Sequence, residues 1–215
     1  MTDNFDTVKQ FIQITEPDFD LDDDKFYTVE IIRRRKDNPD QHGSRMHSPK
    51  NCIKVYYINK LADFDTYRDE IIKLCEVFNA RAYVAVNCKS YEHVMKAAMV
   101  EFATRIASNN FNRPQSIFQS CTGKYQNSKK KIWIIDIDAE DAIKTGVPVS
   151  KLVEIAEKAV EKSAPYRKHI ITVPSKSGEH VIAYGFNMVQ FEKETIGFIE
   201  RDSIKLNNFI VLYAV

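Results

Sequence analysis

Two aspartates one residue apart, at the end of a strongly apolar run, are the residues in this chain best suited by type and spacing to do chemistry. The run is Lys131-Ile-Trp-Ile-Ile-Asp-Ile-Asp138. It is β-branched and apolar enough to be a buried strand. Side chains alternate along a strand, so Asp136 and Asp138 share one face and Ile137 takes the other. Two like charges side by side raise the cost of ionising each other. A hard divalent cation, Mg²⁺ or Mn²⁺, removes that cost by taking carboxylate oxygens. A strand that simply runs out into a polar loop accounts for the same letters, so a second element has to decide. It comes about forty residues later, in the turn Pro174-Ser-Lys-Ser-Gly178 and the strand that starts at His180. If that hairpin lies beside the aspartate strand, Ser175, Lys176, Ser177 and His180 come near the carboxylates. Such a set suits a nucleoside triphosphate, with metal on the carboxylates and the cationic groups on the phosphates. His180 taken alone reads equally well as a packed or solvent-facing histidine.

The elements that must position these groups are legible from periodicity. After the aspartate strand, Leu152, Ile155, Ala156, Ala159 and Val160 make an apolar stripe on a helix capped by Ser150. Strands at 168–173 and 180–186 follow, with Gly178 supplying unusual backbone angles in their turn. A short helix at 187–195 and final strands at 196–200 and 209–214 complete a β-α-β-β-α-β order, the ferredoxin-like or RNA-recognition-like arrangement. The first half reads as a strand at 26–35, a loop at 36–52 carrying Gly43 and Pro49, a strand at 53–58, a helix opened by Asp63 or Asp65, and a strand at 81–87. A second helix, capped by Ser90, carries Met95, Ala98, Met99, Phe102 and Ile106 as its core stripe. The expectation is an α/β (α+β) protein: an acidic flexible arm at 1–24, a β-α-β-α module at 25–130, and a ferredoxin-like core at 131–215.

Composition weighs against some classes. A net charge of +1 over 215 residues argues against a histone-like protein that binds by bulk charge, so any nucleic-acid site must be a local patch. The candidates are Arg33-Arg34-Arg35 and Lys129-Lys130-Lys131, each of which also reads as a solvated strand end. The four cysteines contain no C-x-x-C pair, which argues against zinc and for reduced thiols in a cytoplasmic protein. Neither a signal-peptide pattern nor a membrane-length apolar run is expected. Cys121-Thr-Gly-Lys124 resembles the end of a P-loop but lacks the upstream glycine.

A strand ending in Asp-Ile-Asp, followed by a Ser-Gly-x-His hairpin, resembles the archaeo-eukaryotic primase superfamily, the primase–polymerases. The resemblance implies that Asp136 and Asp138 ligate metal and that Ser177-Gly-Glu-His180 supplies a phosphate-contacting histidine, with one extra residue between serine and histidine. It implies a third acid from a later strand, for which Asp202 is the candidate and Glu200 the alternative. It also implies an α/β module ahead of an RNA-recognition-like catalytic core. The activity so implied is metal-dependent nucleotidyl transfer on nucleoside triphosphates and a single-stranded template, with a helicase or other replication partner in trans. Wider phrases such as Glu30-Ile-Ile-Arg-Arg-Arg resemble proteins of Bacteroides-type bacteria and their phages. Three rivals stay open on the residues: a non-catalytic nucleic-acid-binding protein, a metal-dependent nuclease, and a virion or host-interaction protein.

Overall fold

In the computed structural model, which describes residues 1–39, 51–114, 116–124, 131–164, 169–206 and 209–215, the apolar alternation of the sequence becomes two antiparallel sheets. The first half runs β1 (Thr2–Asp3), α1 (Phe5–Thr15), β2 (Lys25–Ile32), β3 (Cys52–Ile58), α2 (Ala62–Phe78), β4 (Arg81–Ala85), β5 (Lys89–Ser90), α3 (Tyr91–Ala107) and α4 (Ser116–Lys124). The second runs β6 (Ile132–Asp138), α5 (Ala139–Thr145), α6 (Val149–Ser163), β7 (His169–Pro174), β8 (Gly178–Tyr184), α7 (Met188–Glu194), β9 (Ile204–Lys205) and β10 (Phe209–Ala214). The chain is of the mixed α+β class. The sequence expectations for Gly43, Pro49, Lys129, Lys130 and Lys168 lie outside the described residues.

The second sheet has the order β7-β8-β6-β9 with antiparallel neighbours throughout. With helices between β6 and β7 and again between β8 and β9, its connectivity is the β-α-β-β-α-β order read from the sequence. Its last strand is a different one from those expected. Residues 196–200 form no strand; Gly197 sits at a φ of 80°, which breaks an extended path. The two-residue β9 takes the fourth place instead. β10 leaves this sheet altogether and enters the other, whose order is β1-β10-β4-β2-β3 with β5 beside the start of β2.

The acidic N-terminal stretch is not a free arm. Phe5, Val8, Phe11 and Ile12 of α1 are fully buried, and burying each such side chain is worth about 1.5–3 kcal/mol. The carboxylates do not oppose this packing, because several serve as local acceptors. Asp20 accepts the Leu61 backbone N–H at 2.7 Å, and Asp24 accepts the Glu92 N–H at 2.7 Å. α1 brings its apolar face to one core shared by both sheets, in which Tyr27, Val29 and Ile31 meet Ile132, Ile134 and Ile182. Two asparagines fix the sheets polar-to-polar. Asn4 Nδ2 donates to the carbonyls of Pro174 and Val211, both at 2.8 Å. Asn87 Oδ1 accepts the Ile132 N–H at 3.1 Å, pinning the start of β6.

Helices α2, α3 and α6 differ from the sequence expectation; α2 has Leu61 at its N-cap, with Asp63 and Asp65 inside its first turn. Ser90 does cap α3, its Oγ accepting from His93 N at 3.2 Å. That helix packs by Val94 and Ala98 against Phe26, Ile117 and Cys121, which turns Met95, Met99, Phe102 and Ile106 outward. The aromatic residues that stack here, Phe26 on Tyr91 at 4.2 Å, fill the space the longer stripe was expected to fill. α6 starts two residues earlier than expected, with Pro148 rather than Ser150 at its N-cap. Among the described residues no helix is long and apolar enough to cross a membrane.

Candidate functional site

β6 is paired on both sides, and its alternation is strict. Ile135 and Ile137 face α6 in a core with Leu152, Ala156 and Val160. Ile132 and Ile134 face the first sheet, so Asp136 and Asp138 continue that row at the point where the shared core ends. The register sets His180 directly opposite Asp136 and Gly178 opposite Asp138. Cross-strand partners on one face come within about 5 Å at Cβ, and here the contact is made. His180 Nε2 lies 3.2 Å from Asp136 Oδ1. Ser177 Oγ donates to Asp138 Oδ1 at 2.7 Å. The hairpin therefore lies beside the aspartate strand, and Ser175, Lys176, Ser177 and His180 all line one cavity with the two carboxylates.

Gly178 makes that approach feasible, though by a different device from the one expected. It is not in the left-handed region. A Cβ there would stand 1.9 Å from the Ile137 carbonyl oxygen and 2.8 Å from Asp138 Cα. The residue is needed for closeness of two backbones, not for an unusual angle.

The opposite wall of the cavity comes from the first sheet and the segment after β2. Ile32, Phe209 and Val211 give an apolar floor, and Arg34, Lys36, Arg81 and Tyr83 give its polar rim. Lys205 enters from β9, where its pairing with Ile134 puts it on the carboxylate face. The enclosed space is about 280 Å³, near the lower end of small-molecule sites. Five lysine or arginine side chains, Arg34, Lys36, Arg81, Lys176 and Lys205, thus surround two aspartates.

Some of that positive charge is already matched from behind. Arg81 holds Asp37 through both Nε and Nη2 at 2.7 Å, and Lys176 Nζ reaches Asp37 Oδ1 at 3.4 Å. This ties the β7–β8 turn to the segment after β2 across the cavity. Burial works to raise the Asp37 carboxyl, but Arg81 and then Lys176 hold it below the usual carboxylate range. Asp136 behaves alike. Burial pushes it up, and the His180 contact with the charges of His180, Lys205 and Arg34 brings it below its ordinary value. His180 is nine-tenths buried, and its Nδ1 has no hydrogen-bond partner. Nε2 is turned to Asp136, so Nδ1 is the ring nitrogen left without a protein partner.

Not all of the sequence candidates arrive. Asp202 lies exposed in the 3₁₀ turn Arg201–Ser203 and does not line the cavity. Glu200, also exposed, is outside it as well. The third acid is therefore not assembled. Its strand is two residues long, and the side chain it turns to the cavity is Lys205. Of the arginine run, Arg34 reaches the site and bonds Tyr83 Oη at 3.2 Å. Arg33 turns away onto the Phe78 ring at 5.5 Å, and Arg35 is exposed elsewhere. Lys131 is exposed at the far end of β6 from the aspartates.

Comparison with protein-family models, with curated proteins and with solved structures finds no match to this chain. The site must be judged by its own donors. Among the described residues no group of three or more histidine, cysteine or carboxylate side chains is disposed to enclose a metal ion. Two carboxylates on one face do fit Mg²⁺ or Mn²⁺, because such ions keep much of their shell for water and ligand phosphate and need only one or two protein carboxylates.

Proposed function

We propose that the cavity between the sheets binds a nucleoside triphosphate with a divalent cation, and that the chain is a small primase-like nucleotidyltransferase. The observation that carries this reading is that Asp136 and Asp138 share one cavity with five cationic side chains, of which Arg81 and Lys176 also meet Asp37. Acids alone suit a cation, and cations alone suit any anion. Both together suit a polyphosphate that brings a metal with it. The resemblance of Asp136-Ile-Asp138 and Ser177-Gly-Glu-His180 to primase–polymerases supports the same class.

In this reading Asp136 and Asp138 hold Mg²⁺ or Mn²⁺, which when bound neutralises phosphate charge and favours ionisation of an attacking hydroxyl. Lys176, Arg34 and Arg81 bind and orient the phosphate chain. The His180–Asp136 contact fixes the imidazole, and Ser177 fixes Asp138. Transfer forms a bond from a 3′-oxygen to the α-phosphorus and breaks the α–β bridging bond. Pyrophosphate leaves and the hydroxyl proton passes to solvent. Ile32, Phe209 and Val211 exclude water from one side. A single-stranded template, a replication partner in trans and a cytoplasmic setting in a bacterial or phage-infected cell belong to the same proposal.

The test is binding of labelled ATP and dATP with and without Mn²⁺, in the native chain and in Asp136→Asn/Asp138→Asn. Metal-dependent binding should weaken at least about a hundredfold in the variant, since two charge-assisted contacts of ~1.5–3 kcal/mol each are removed. Equal binding in both proteins would end the proposal. Strand cleavage without added nucleotide would replace it with a nuclease.

A further inference from the structure

The position where a third metal-binding acid was expected presents a lysine. β9 pairs with β6 through Ile134 to Lys205 and Ile135 to Ile204. Ile204 goes under the sheet into the α6 core. Lys205 shares the face of Ile134, whose next neighbour on that face is Asp136, and it lines the cavity with both aspartates. Its ammonium is held by the backbone carbonyl of Asp202. The acid of that turn thus supplies a main-chain acceptor that steers Lys205, while its own carboxylate stays in solvent. On the other side of the aspartates His180 is buried, with Nε2 against Asp136.

From this placement we infer that the site takes one divalent cation rather than two, and that Lys205 is a binding residue for the ligand's phosphates in the place of a second metal. The inference rests on the nucleotide reading above and sharpens it. A second dication beside Asp136 would have to share its surroundings with an ammonium and, among the described residues that line the cavity, would find no third carboxylate. An ammonium there supplies one positive charge and, beside its bond to the Asp202 carbonyl, up to two donors to phosphate oxygens at no cost in ligands.

The experiment counts bound Mn²⁺ by electron paramagnetic resonance at saturating adenosine 5′-[α,β-imido]triphosphate, and measures affinity for that analogue, in the native chain, Lys205→Ala and Lys205→Arg. The native chain should hold one Mn²⁺. Lys205→Ala should keep one Mn²⁺ but bind the analogue about tenfold or more weakly, and Lys205→Arg should recover most of the loss. Lys205 is part-exposed, so neither change threatens the fold. Two Mn²⁺ in the native chain, or full affinity in Lys205→Ala, would overturn the inference while leaving the nucleotide site standing. A native chain that fails to bind the analogue at any Mn²⁺ concentration would overturn both.

Discussion

Asp37→Asn should move stability and ligand affinity in opposite directions. In the native chain the Asp37 carboxylate makes two 2.7 Å contacts to Arg81, and the two side chains are 11% and 8% exposed. Removing one partner of a buried pair leaves the other charge uncompensated, at a cost of about 3–5 kcal/mol. An amide oxygen can keep one of the two bonds, so the lower figure of about 3 kcal/mol applies. For a chain of this size each kcal/mol is about 2–4 °C in Tm, which gives a fall of roughly 6–12 °C. Arg81 and Lys176 both line the cavity, and both lose the carboxylate that competes for them. Binding of inorganic triphosphate should therefore tighten, by about tenfold if one charge-assisted contact is gained. The assays are a thermal melt and a titration followed by calorimetry on the same preparation. An unchanged Tm would refute the buried pair. A lower Tm with weaker triphosphate binding would refute the idea that Asp37 and the ligand compete for the same cations.

Gly178→Ala forces a methyl into backbone rather than into a movable side chain, with 1.9 Å to the Ile137 oxygen. Overpacking of this kind costs about 1–3 kcal/mol and must part β8 from β6 at Asp138. The melt should drop, and metal-dependent nucleotide binding should weaken with it; retention of both would show that the hairpin sits further away. The pH dependence has a definite sign. Asp37 and Asp136 are held below the usual carboxylate range in the folded chain. Their contribution is full above the unfolded-state value near ~4 and is lost as pH falls through the lowered folded values. Melts between pH 6 and pH 2.5 should therefore decline steeply only below about pH 4, and less steeply in Asp37→Asn; parallel curves would sink the argument.

How much of this was legible in the letters depends on the range of the interaction that decides each feature. The strand 132–138 and the hairpin depend on alternation and a local turn, and they are where the sequence places them; the last strand of their sheet is not. The Ser90 cap is equally local. α1 is not legible as an ordered helix because clustered acids read as a flexible arm, whereas Asp20 and Asp24 accept backbone N–H groups at the starts of α2 and α3, forty and more residues away. The α3 stripe was misassigned because its periodicity marks an apolar face without saying whether anything covers it. There Val94 and Ala98 suffice. β10 reads correctly as a strand, but only sheet topology shows that it joins β1 and β4 rather than β9.

The same distinction explains the site. One half of it, Asp136, Asp138, Ser177 and His180, lies on two adjacent strands, so pairing rules bring it together. The other half, Arg34, Arg81, Tyr83 and Asp37, is set opposite only because Asn4, Asn87 and the α1 core hold the two sheets in one arrangement. No spacing in the sequence encodes that. Local reading could therefore find the acids, Lys176 and the basic run that holds Arg34, and could not find Arg81, Tyr83, Asp37 or Lys205. It also placed a third acid at Asp202, where an antiparallel register of two residues delivers Lys205 instead. In the reading proposed above, that one side chain is what would separate a site for two metal ions from a site for one metal ion and a fixed ammonium.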